Sequence, residues 1–307
     1  PHRALVRSLP DLIGTGGIHA CADSAFDVAV DVARDVRERL DGLKGLAATD
    51  DPRLTGLLNQ IASQHVGWPP DLAKLAILYL FPAKMTLVQM LGSLRALKYR
   101  RYDAGGISSF LPDAITRART TPAGLELLRD GLTHYVTADC AWDAVNYRMR
   151  TGRSDLVGPL TRVCELQVQD RSADGPLAES VALVLQLSRD NDYSDDDTRR
   201  LRDLFITARP SFRAAVCCEQ DALPANKMAG KDADDRLVRI LWGPSLALDL
   251  ALDQAWMEAA LCDIAIPPAA RRLVLDCLIQ TVRGTAPALS TLKALRPMVS
   301  DAPALAA

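Results

Sequence analysis

The chain has 307 residues, 49% of them apolar, and its charges nearly cancel at a net of -2. That length accommodates one large core or two to three smaller ones. The charge balance speaks against a duplex nucleic-acid binder, which carries a basic excess, and 5% aromatic residues leave little for base-stacking platforms.

Helix signals follow one another along the chain. Asp23-Ser24 offers acceptors for a helix predicted to run through about Gly42, with Phe26, Ala29, Val32, Val36, Leu40 and Leu43 on one side and Gly45 as its stop. Asp51-Pro52 starts a second helix carrying Leu54, Leu57, Leu58 and Ile61, which Gly67 halts. Pro69-Pro70-Asp71 opens a third, apolar on every side from Leu75 to Phe81, a pattern that predicts a helix enclosed by core before Pro82 ends it. Met85 to Leu97 is amphipathic and finishes in Lys98, Arg100 and Arg101, where positive charge suits a helix C-terminus.

Gly105-Gly106 is a clear break. Thr121-Pro122 begins a helix with Leu125, Leu128, Leu132 and Tyr135, and Asp139 is read as capping another that holds Trp142, Val145 and Met149 and ends near Gly152. Ser154 to Val168, Leu177 to Leu187 and the segment behind Ser194 are further helices. Glu219 to Asp235 is linker-like, and Leu237 to Cys262 and Ala269 to Val282 are apolar-periodic, with Pro267-Pro268 between them. Strand alternation and fixed-period repeats are not evident. The expected fold is all-α: about a dozen helices in a multi-helix bundle or a stack of bundles, divided as 1–105, 106–218 and 219–307.

The seven cysteines include no CxxC pair, and most lie inside apolar runs as buried thiols, so a reducing, cytoplasmic setting is expected, compatible with secretion into a host cell. No stretch reaches the roughly 20 apolar residues of a membrane span. Asp190, Asp192, Ser194 and Asp196 open like a calcium loop, but Asp195 stands where its glycine belongs and Leu201 where its glutamate does, so a helix cap is the better reading. No phosphate loop, GxSxG or HExxH is present, and neither a cofactor nor a metal is expected. His134 and Cys140, six apart, would make a nucleophile–base pair only across a chain break.

Cys21 is the thiol of most interest, because a helix N-terminus stabilises a thiolate, and His19 and Asp23 flank it. The Cys21-Ala22-Asp23 loop resembles the active site of the all-α bacterial ubiquitin ligases secreted as effectors. That resemblance implies a ubiquitin thioester on Cys21 with Asp23 assisting transfer, although Ser24 stands where the family has arginine. At the other end, Ala255-Trp256, then Ile264-Ala265-Ile266-Pro267, Arg272 and Leu278 to Arg283 look like the last helical module of type III secretion gatekeepers. Those are non-enzymatic helical stacks that bind chaperones and the export gate.

The leading expectation is a non-catalytic helical protein that binds protein partners as a regulator or effector, with Lys98, Arg100 and Arg101 as a candidate contact patch. The alternatives are a cysteine-dependent enzyme using Cys21, Asp23 and His19, and a helical viral structural protein.

Overall fold

The computed structural model describes residues 21–97, 106–118, 121–143, 148–170, 175–191, 196–223 and 250–282. The fold is all-α, with thirteen helices and one two-stranded hairpin among the described residues. The chain forms two compact units, Pro1–Tyr135 and Val136–Ala307.

Unit one holds α1 (Ala22–Val30), α2 (Val36–Ala48), α3 (Arg53–Ala62), α4 (Pro70–Leu80), α5 (Leu87–Ala96), α6 (Ile107–Arg117) and most of α7 (Pro122–Ala138). The single helix expected up to Gly42 is instead a helical hairpin. Asp31 Oδ1 accepts from Ala33 N, and Asp35 Oδ1 accepts from Arg37 N at 2.8 Å, capping α2. These aspartates offer the backbone local partners that compete with an unbroken helix. Gly45, expected as the stop, lies inside α2, and Gly42 is a contact point against the backbone of Ala25 and Ala29. The α1–α2 pair continues through α2 against α4, while α3 packs on α5 and α4 packs on α5 and α6. Leu43, Leu46, Leu58, Ile61, Leu72, Ile77, Met90 and Leu94 form the fully buried centre.

Local chemistry sets most boundaries here. Pro70 occupies the first turn of α4, where a missing N–H costs nothing. Thr86 and Gln89 close a reciprocal capping box at the start of α5. The helix expected from Asp139 to Gly152 is instead a hairpin: β1 (Cys140–Asp143) pairs antiparallel with β2 (Arg148–Thr151). Its base is closed onto the end of α7 by Thr151 Oγ1, which donates to the Val136 carbonyl at 2.9 Å, and by Gly152 N, which donates to Asp139 O.

Unit two continues with α8 (Val157–Gln169), α9 (Gly175–Asn191), α10 (Asp196–Ile206), α11 (Pro210–Ala222), α12 (Leu250–Cys262) and α13 (Pro268–Val282). Residues 219–222, expected to begin a linker, are the last turn of α11, and residues 224–235 lie outside the described set. Helix α9 is the centre of this unit, touching β2, α8, α10 and α11. Every residue from Ser180 to Ser188 is buried. Its polar members bond locally: Ser180 Oγ to Pro176 O at 2.9 Å, and Ser188 Oγ with Thr198 Oγ1 at 3.2 Å. Glu165 of α8, also buried, lies between Arg162 at 2.6 Å and Arg200 of α10 at 3.2 Å.

Arg213 joins three helices. Its guanidinium sits 5.4 Å from the Phe205 ring and 4.3 Å from the Trp256 ring, and Nη1 donates to Ile206 O at 2.9 Å. Arg213→Met keeps the stem but removes the charge over both rings and the donor to that carbonyl. The expected loss is about 2 kcal/mol in unit two, read as faster amide exchange across α10–α12. Unchanged exchange would show the stem alone does the packing.

Candidate functional site

Cys21 stands just ahead of α1 with φ -95° and ψ 0°, half-buried, and its side chain makes no capping hydrogen bond. Asp23, in the first turn, points into solvent, 89% exposed, and its Oδ1 accepts from Arg53 Nη1 at 2.9 Å. His19 lies outside the described residues. Of the three residues expected to cooperate, then, two are described, and the carboxylate of one is engaged by an arginine from α3.

That arginine is the hub of its own cluster. Arg53 Nε and Nη2 donate to Asp51 Oδ1 and Oδ2 at 2.9 and 2.7 Å, and its guanidinium lies 4.8 Å over the Phe26 ring. The Arg53 hydrogen bond holds the Asp51 carboxyl below its ordinary value. A depressed carboxylate contributes stability that is present above the unfolded pKa and lost as pH falls through the folded one. Asp51→Asn is therefore expected to be less stable than the parent at neutral pH, with the gap closing below about pH 4. Urea midpoints at several pH values check this; a gap that stays constant down to pH 2.5 would exclude the charge pairing as its source.

Of the other thiols, Cys164, Cys217 and Cys277 are buried, Cys140 and Cys218 are half-buried, and Cys262 is exposed. Cys140 Sγ donates to Val136 O at 3.1 Å, and burial pushes its pKa up. Burial, with Asp221 and Glu219 nearby, pushes Cys218 up to about 11, and burial beside Cys217 and Asp276 pushes Cys277 well up. Thiols shifted in this direction stay protonated at neutral pH and are weak nucleophiles. Among the described residues no group of three His, Cys, Asp or Glu side chains could hold a metal ion, and no helix is long and apolar enough to cross a membrane. Lys98, Arg100 and Arg101 lie outside the described residues, as do Asp192 and Ser194 of the calcium-like series.

The feature that the sequence did not single out is a groove between the first halves of α2 and α4. It encloses about 590 Å³ and is lined by Asp35, Val36, Arg37, Glu38 and Asp41 on one side and Asp71, Lys74, Leu75 and Leu78 on the other. Helix α4, apolar all round, buries only the face bearing Leu72, Ala73, Ala76, Ile77 and Leu80. Leu75 and Leu78 are half-buried and Tyr79 is 59% exposed, contrary to the enclosed helix that the pattern predicts. Lys44 of α2 reaches across to place its Nζ 4.2 Å over the Tyr79 ring. The groove sets four carboxylates and the cations Arg37 and Lys74 beside the apolar Val36, Leu75 and Leu78. A scan of the chain against family models, curated proteins and solved structures finds no match.

Proposed function

We propose that this protein is a non-catalytic helical interaction protein, a regulator or secreted effector that works by binding protein partners. The observation that carries the reading is the face of α4 bearing Leu75, Leu78 and Tyr79, which its own unit covers only in part. An apolar helix face kept in water has a cost that a partner removes. The engagement of Asp23 by Arg53 and the hydrogen bond of the half-buried Cys140 thiol to Val136 O also favour binding over thiol chemistry.

The alternative is a cysteine-dependent ligase-like enzyme, favoured by the uncapped, half-exposed Cys21 thiol. One pair of measurements separates the two. The full chain, immobilised and challenged with lysate of its source, is expected to retain a protein partner, and Cys21→Ser is expected to retain it equally. If no partner is retained and the parent, but not Cys21→Ser, forms a thiol-sensitive adduct when supplied with charged ubiquitin-conjugating enzyme, the binding reading is overturned.

A further inference from the structure

We draw no further inference here: the strongest candidate, the groove between α2 and α4 floored by Val36, Leu75 and Leu78, has its Glu38 and Asp41 carboxylates already paired with Arg34 and Lys44, and nothing in the structure shows what covers it.

Discussion

Gly42→Ala is expected to lower the stability of unit one by about 3 kcal/mol, because the added methyl group has nowhere to go. A Cβ built at residue 42 would stand 2.6 Å from Ala25 O and 2.7 Å from Ala29 N, and both are backbone atoms of α1. Relief requires the two helices to separate, which loosens the burial of Ala25, Ala29 and Leu43 together. Two other glycines calibrate the effect. At Gly131 the nearest atoms are the Leu91 methyl carbons at 2.9 Å, the ends of a side chain that can rotate, so alanine there is expected to cost less. At Gly56, inside α3, nothing lies within 4 Å. Alanine there is expected to stabilise by about 0.7 kcal/mol through helix propensity and a less flexible unfolded chain. Amide exchange in unit one reads all three without assuming that the two units unfold together. A neutral Gly42→Ala with protected α1 amides would show that the hairpin tolerates a wider separation.

The helical class of the fold was legible because most starts are written in single residues. Asp51, Pro52 and Pro70 stand where α3 and α4 begin. What misled the reading was a period that survives a turn. Val32 and Val36 fall in register with Ala29 and Leu40, so the run reads as one helix. Val32 is nevertheless 70% exposed in the loop, because Asp31 and Asp35 have captured the backbone there. The β1–β2 hairpin was missed for a different reason. Strands of four residues carry too little alternation to see, and their pairing depends on partners five to eleven residues away.

Polarity also misplaced the cores. Helix α9 carries Ser180, Gln186 and Ser188 and is still the most enclosed helix of unit two, since hydroxyls bonded within their own turn or to a neighbour can be buried cheaply. Helix α4 has the more uniform apolar pattern and yet shows a side to solvent. Composition along a helix states how much apolar surface it has, and only the neighbours decide whether all of it is covered. That difference is why the candidate groove could not be read from the sequence, whereas Cys21, next to a helix start, could.

Arg39→Met is expected to cost about 3 kcal/mol in unit one, through carbonyls rather than through charge pairs. Arg39 is 3% exposed; its Nε donates to Ala29 O at 2.9 Å and its Nη1 to Gly67 O at 2.7 Å. The first of these acceptors belongs to the last turn of α1, where carbonyls lack helical partners. The second sits at a glycine with φ +98°, a backbone conformation that other side chains resist. The guanidinium also lies 4.5 Å over Trp68, so one side chain ties α1, α2 and the loop before α4. Methionine fills the stem's volume but leaves two carbonyls without their charged donors, each worth about 1.5 kcal/mol or more. Arg39→Lys is expected to recover less than half, because an ammonium lacks the planar fork that spans two acceptors at once. Burial lowers the Arg39 pKa, yet an arginine stays protonated across the neutral range. The loss is therefore expected to be flat from about pH 5 to 8, in contrast to the closing gap of Asp51→Asn. A loss that varied with pH in that window would exclude the two carbonyls as its source.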